Sequence, residues 1–258
     1  MKAAVESGDA KKVAELIKQD PGFNVNMVMN RIWFTLLHVA CFDDSRSAVI
    51  PLLLAHPDID ANSSDRFGRT PFNLACEYGH TPCIREMLKD SRVKVNEPND
   101  DGRTPLFWAT WGGHFDVIRW WIASGRETDF GKPGDVNKTD VIGVATERSS
   151  REVVTLLERF QSDTAKTRHA VRVELGLLDE LAGEMFALVV FVSDGLLQIK
   201  DTTPSPAARF FKIAAQLPLE LQMVLYFRQV GSAKEIISGK DSELAFKELA
   251  RRLWVISP

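Results

Sequence analysis

The sequence predicts an all-α fold, a solenoid of stacked helix pairs followed by a C-terminal helical region. Three observations carry this. The stretch DDGRTPLFWATWGGH at residues 100–114 reads as a tight turn running into a short helix. Similar stretches are headed by Thr35, Thr70, Thr104 and Thr139, at intervals of 35, 34 and 35 residues, and a fixed period of that size marks a repeat architecture. After Phe160 the period stops, yet apolar residues keep recurring at spacings of three and four, the helical period.

Each unit follows one plan. Asp101-Gly102 makes the turn, because glycine tolerates positive φ. Thr104 caps the helix and Pro105 fits its first position, where no amide hydrogen is needed. Gly112 and Gly113 stop it. The segment Arg69-Thr70-Pro71-Phe72-Asn73-Leu74-Ala75-Cys76-Glu77-Tyr78-Gly79-His80 repeats the plan, and Thr35-Leu36-Leu37-His38-Val39-Ala40-Cys41 repeats it with leucine in the proline place. Thr139 to Ala145 is a degraded copy. A partial unit opens the chain, where Ala4 and Gly8-Asp9 precede Val13, Leu16 and Ile17. A second apolar helix follows in each unit, as in Ile84-Met87-Leu88 and Val153-Val154-Leu156-Leu157, and then a turn such as Val95-Asn96.

These residues resemble the ankyrin repeat, whose unit of about 33 residues reads T-P-L-H-x-A, then G-H, then a second helix. The resemblance covers residues 1 to 160 and implies about five repeats, the outer two being degenerate caps with one polar face. It implies a protein-binding scaffold that needs no cofactor. In that frame Trp120 and Trp121 take core places on a second helix, and Phe107 and Trp108 are expected to stack between repeats. The hairpin tips present Phe34, Arg66, Phe67, Arg69, Asp100, Arg103 and Lys138, and the ends of the first helices present Phe42, Tyr78 and Trp111. Arginine and aromatic residues dominate interface hot spots. Basic tips beside aromatic rings suit another protein, as an acidic or amphipathic peptide.

The remaining chemistry is sparse. Cys76-x3-His80-x2-Cys83 has no fourth ligand close in sequence, and Cys41 and Cys76 occupy equivalent small-residue places, so the three cysteines read as small hydrophobes. Neither GxSxG, HExxH, a Walker loop nor GxGxxG occurs, so no catalytic or metal site is expected. The run Leu54 to Asn62 resembles the ankyrin site for asparagine hydroxylation, at a spacing that any repeat ending in this turn would share. A net charge of −3 offers no nucleic-acid footprint. No apolar leader follows Met1, and the run Met185 to Val192 is too short to span a bilayer. With three cysteines a reducing compartment is expected, hence the cytoplasm or nucleus, and the chain is expected to be a monomer.

Residues 161–200 are expected to extend the stack and cover its last repeat. Leu178, Leu181, Met185, Leu188, Val192 and Leu196 form an apolar stripe, interrupted near Gly176 or Gly183. Residues 201–258 read as a small helical unit. Phe210, Phe211 and Ile213 mark one helix; Leu221, Val224 and Leu225 mark a second; Phe246, Leu249, Ala250, Leu253 and Trp254 mark a third. Gln216-Leu217-Pro218-Leu219-Glu220-Leu221 resembles the entry of an F-box. That resemblance implies the alternative of a ubiquitin-ligase substrate adaptor, docking its Skp-type partner through Leu217, Pro218 and Leu221.

Overall fold

The computed structural model describes residues 1–20, 22–131, 140–148, 150–193, 214, 216–217, 219–229, 245–247 and 249. Over these the chain is helical, and it divides into two compact units, Met1–Arg168 and His169–Pro258.

The first unit is a stack of five helix pairs. They are α1 (Lys2–Glu6) with α2 (Ala10–Gln19), α3 (Leu36–Cys41) with α4 (Ile50–Leu54), and α5 (Pro71–Tyr78) with α6 (Thr81–Leu88). α7 (Pro105–Trp111) with α8 (Phe115–Ser124), then α9 (Val141–Glu147) with α10 (Arg151–Ser162), complete it. A 3₁₀ turn, Asp44–Val49, leads into α4. First helices pack on first helices and second on second along the stack. That arrangement buries apolar faces which no single pair could cover alone.

Capping sets where the first helices α3, α5, α7 and α9 begin. The Thr70 hydroxyl accepts from the Asn73 amide at 3.1 Å and the Thr104 hydroxyl from the Phe107 amide at 3.2 Å. In the degraded copy the cap is Asp140, whose carboxylate accepts from the Gly143 amide at 2.8 Å. The equivalent of the threonine is therefore Asp140, one residue beyond the expected Thr139, which lies outside the described residues. At α3 the His38 ring takes over. Its Nδ1 lies 3.2 Å from the Thr35 amide and 2.9 Å from the Thr35 hydroxyl, and its Nε2 lies 3.1 Å from the Arg69 carbonyl of the next repeat. The Thr35 amide can only donate, so Nδ1 is the acceptor and Nε2 carries the proton. Burial pushes this imidazole below its ordinary pKa of 6.5, with the Arg69 carbonyl pulling the other way.

Two further contacts join one repeat to the next. His114 Nε2 donates to the Glu77 carbonyl at 3.0 Å, and its ring fills the space that a Cβ on Gly79 would occupy, 2.4 Å away. The glycine of the G-H pair is thus required by the histidine one repeat later. At the far side each turn asparagine clamps the next loop. Asn62 Nδ2 donates to the Arg92 carbonyl at 2.9 Å while its Oδ1 accepts from the Lys94 amide at 2.7 Å. Asn26 does the same with Asp58 and Asp60, and Asn96 with Glu127 and Asp129.

Trp121 is fully buried and meets Phe72 edge-on at 5.2 Å. Trp120 departs from the expected core place: it is half-buried, with the Arg85 guanidinium 4.1 Å over its ring. Adjacent helix positions point 100° apart, so only one of the pair can face the stack. The three cysteine thiols are free and buried, and burial raises all three, Cys83 to about 12.

α11 (Thr164–Glu174) crosses the division between units. Its first turn belongs to the stack: Thr167 donates to the Arg159 carbonyl at 2.9 Å, and Arg168 donates to the Ile122 carbonyl at 3.1 Å. In the second unit Gly176, at φ +69°, separates α11 from α12 (Leu178–Ser193). α12 packs on α13 (Leu219–Gln229) around Ala182, Phe186, Val189, Ala214, Tyr226 and Phe227, with Phe246 against that core. The buried face is turned by one residue from the expected stripe, since Ala182 and Phe186 lie deeper than Leu181 and Met185. Leu196, Phe210, Phe211, Ile213, Leu253 and Trp254 lie outside the described residues. Among the described residues no helix is long and apolar enough to cross a membrane.

Candidate protein-interaction surface

Each hairpin tip is built around one side chain five residues before the capping position. Asn30 Oδ1 accepts from the Ile32 and Phe34 amides at 3.1 and 3.0 Å. Asp65 Oδ1 accepts from Phe67 and Arg69, both at 2.9 Å, and Asn99 Oδ1 from Asp101 and Arg103 at 3.1 and 3.0 Å. Such a hub closes the tip, and the residue two before the cap must then turn left-handed. Gly68 and Gly102 do so at φ +70° and +76°. In the first tip the residue in that place is Trp33, at φ +66°, where a bulky side chain costs roughly 1–2 kcal/mol. Trp33 is 55% exposed.

Backbone hydrogen bonds tie the tips in a row. The Arg66 amide donates to the Ile32 carbonyl at 3.1 Å, and the Asp100 amide to the Phe67 carbonyl at 3.1 Å.

The expected contact residues divide into three groups. Arg66, Phe67 and Asp100 are exposed at the tips, and Phe42, Tyr78 and Trp111 are exposed at the ends of neighbouring first helices. Phe42 and Tyr78 meet edge-on at 5.0 Å, and Trp111 stacks on Phe107 at 5.9 Å with the Arg148 guanidinium 4.3 Å above it. Arg69 is engaged within the fold. Its guanidinium bonds Asp65 Oδ2 at 2.9 and 2.8 Å and Glu77 at 3.0 Å. Burial opposes its charge, but the two carboxylates more than offset this and hold it above its ordinary value. Arg103, in the equivalent place, lies 5.4 and 5.0 Å over the Phe107 and Trp108 rings.

Phe34 corrects the sequence reading. It is 6% exposed and stacks on the His38 ring at 5.2 Å, because a phenyl ring, unlike arginine, has no polar end to carry to the surface. Lys138 lies outside the described residues. Trp33 was not among the expected contacts, although the comparison with Gly68 and Gly102 two residues before the next threonines would have found it.

Two buried polar groups on α7, Trp108 Nε1 and Thr110 Oγ1, have no hydrogen-bond partner among the described residues. Among the described residues no cluster of His, Cys, Asp or Glu could hold a metal ion. In the second unit Leu221 is exposed and Leu217 half-buried, the Leu217 carbonyl accepting from Gln222 at 2.8 Å. Pro218 lies outside the described residues.

A stack of helix pairs with hub-closed tips defines a repeat protein. Residues 37–140 match the family model of ankyrin repeats, in three copies. The chain is similar to the SMC5-SMC6 complex localization factor protein 1 of Bos taurus, 40% identical over 32% of this chain and 8% of that protein. The Homo sapiens protein of the same name is 27% identical over 66% of the chain and 17% of its own length. A putative ankyrin repeat protein of Escherichia coli, YahD, is 35% identical over 26% of the chain and 33% of its own length. The chain thus matches only a minor part of each relative. Ankyrin repeats are modules of protein–protein interaction.

Proposed function

We propose that the chain is a non-catalytic scaffold that binds another protein through the concave face of the repeats and the hairpin tips. The observation that carries this is the row Phe42, Tyr78 and Trp111, three large aromatic side chains left exposed on three successive first helices. Aromatic anchors flanked by arginine are what interface hot spots are made of. The relatives named as localization factors of a complex fit such a role, in which a scaffold places an assembly. The proposal takes the protein as a monomer in the cytoplasm or nucleus that works without cofactor and binds neither nucleic acid nor membrane.

The test is a pull-down with the full chain and identification of captured proteins by mass spectrometry. With the captured partner, Trp111→Ala and Arg103→Ala should each weaken binding by at least about 1–2 kcal/mol, with the fold intact by circular dichroism. Unchanged affinity in both variants refutes this placement of the site. A second reading, an F-box-like adaptor, is favoured by the exposed Leu221 in the Leu217-Pro218-Leu221 motif. It requires the same capture to contain Skp-type and cullin peptides that disappear on Leu221→Ala.

A further inference from the structure

We infer that the first two hairpin tips form a docking edge for an acidic, apolar peptide segment, with Trp33 as its anchor. The inference rests on the reading that the repeats bind a protein partner, and it assigns that partner's chemistry and the place where it docks.

Trp33 carries the argument. It stands where the following tips have glycine, and its backbone holds the left-handed conformation that glycine adopts without penalty. The indole is more than half exposed and makes no ring–ring or cation–ring contact among the described residues. Nor can the tip relax, because Asn30 holds the amides on either side of Trp33, and Phe34 is stacked on His38. Strain that the surrounding structure enforces and the core does not use points to a role outside the fold. A large aromatic side chain fixed in solvent also loses little freedom on binding.

The surroundings give the partner's chemistry. Met27 and Val28 are exposed just ahead of the first tip, and Phe67 is exposed on the second, steadied by the Arg69 guanidinium 5.1 Å from its ring. Arg31 and Arg66 are exposed on these same two tips, whereas the third tip presents Asp100 and Asp101. A segment with apolar side chains for Trp33 and Phe67 and carboxylates for the arginines is attracted to the first two tips and repelled from the third. This sets its register along the stack. The acidic third tip disfavours a phosphate backbone, which would otherwise suit arginine beside aromatic rings.

The experiment pans a randomised peptide library displayed on phage against the immobilised full chain, then measures synthetic copies of the enriched peptides by fluorescence anisotropy. Enriched peptides should combine Asp or Glu with Leu, Ile, Phe or Trp. Trp33→Gly, Trp33→Ala and Arg31→Glu/Arg66→Glu should each lower affinity at least about tenfold. Trp33→Gly should melt no lower than the native chain, because it removes the strain along with the ring. No enrichment, basic or uncharged winners, affinity within about twofold in the Trp33 variants, or tighter binding of a single-stranded oligothymidine would each overturn the inference. So would a clearly lower melting temperature of Trp33→Gly, which would mean that the indole serves the fold. If Trp111→Ala and Arg103→Ala weaken the peptide while Trp33→Gly does not, the concave-face reading survives and the docking edge falls. If none of the variants weakens it, both fall.

Discussion

Replacing Trp121 with alanine tests the stacking of second helices most directly. The indole is fully buried, meets Phe72 at 5.2 Å, and donates from Nε1 to the Glu127 carbonyl at a long 3.4 Å. Beyond what an alanine methyl would cover, it removes roughly 150 Å² of apolar surface from water, which amounts to about 4 kcal/mol. The edge-on aromatic pair adds about 1 kcal/mol. The hydrogen bond adds little, since Glu127 is exposed and water replaces the donor. Partial collapse of the neighbours offsets some of the total, leaving an expected loss of about 3–5 kcal/mol. Urea unfolding of the full chain, followed by far-ultraviolet circular dichroism, measures it. A loss below about 1 kcal/mol, with an unchanged denaturant slope, would show that the ring is not a core element and that the repeat frame is wrong at α8.

Three further outcomes follow from contacts along the stack. Because burial lowers the His38 pKa below 6.5, the unfolded chain takes up the proton first as pH falls. The stability this group contributes is present above pH 6.5 and is lost as pH falls toward its lowered folded value. Melting temperatures of the native chain should therefore fall more steeply below that point than those of His38→Asn, and parallel curves would refute the assignment. Asn62→Ala removes a donor and an acceptor that join two repeats and should cost about 1–3 kcal/mol in urea unfolding; a loss under about 0.5 kcal/mol would mean that water replaces both bonds. A chain ending at residue 168 keeps the Thr167 and Arg168 bonds to Arg159 and Ile122, so it should melt higher than one ending at 160. Equal melting would place the end of the stack at the earlier boundary.

Much of the fold was legible because each repeat carries its instructions locally. Thr70-Pro71 and Thr104-Pro105 specify a cap and a first turn, and Gly79 with His114 specifies the contact between neighbours. What the sequence obscured were places where one residue type substitutes for another with a different reach. Asp140 caps as a threonine would, so the last copy sits one residue beyond the apparent threonine. Phe34 occupies the place of Arg69 and Arg103 but folds inward onto His38. Trp120 and Trp121 look alike in sequence, and only the helical phase separates them. The exposure of Phe42, Tyr78 and Trp111 was legible from their places at the end of the first helix, which agree to within one residue. The strain at Trp33 needed the backbone.

The third and fourth repeats show how one pattern accommodates two surroundings for the same arginine. The arginine before the capping threonine is kept in both, as Arg69 and Arg103. In the third repeat the hub is Asp65 and the last turn of the first helix carries Glu77, so two carboxylates hold the guanidinium in a partly buried ion pair. In the fourth repeat the equivalent places are Asn99 and Trp111. An amide hub still closes the tip, because only its carbonyl oxygen is needed to accept the two backbone amides. An amide is uncharged and cannot pair ionically with the arginine as Asp65 does, and Arg103 lies over the rings of Phe107 and Trp108. Two differences thus change the arginine's surroundings, from two carboxylates to the rings of Phe107 and Trp108, while the tip geometry that aligns the repeats is unchanged. Because the stacking contacts and the surface places occupy different positions of each unit, the surface can vary while the stack stays the same.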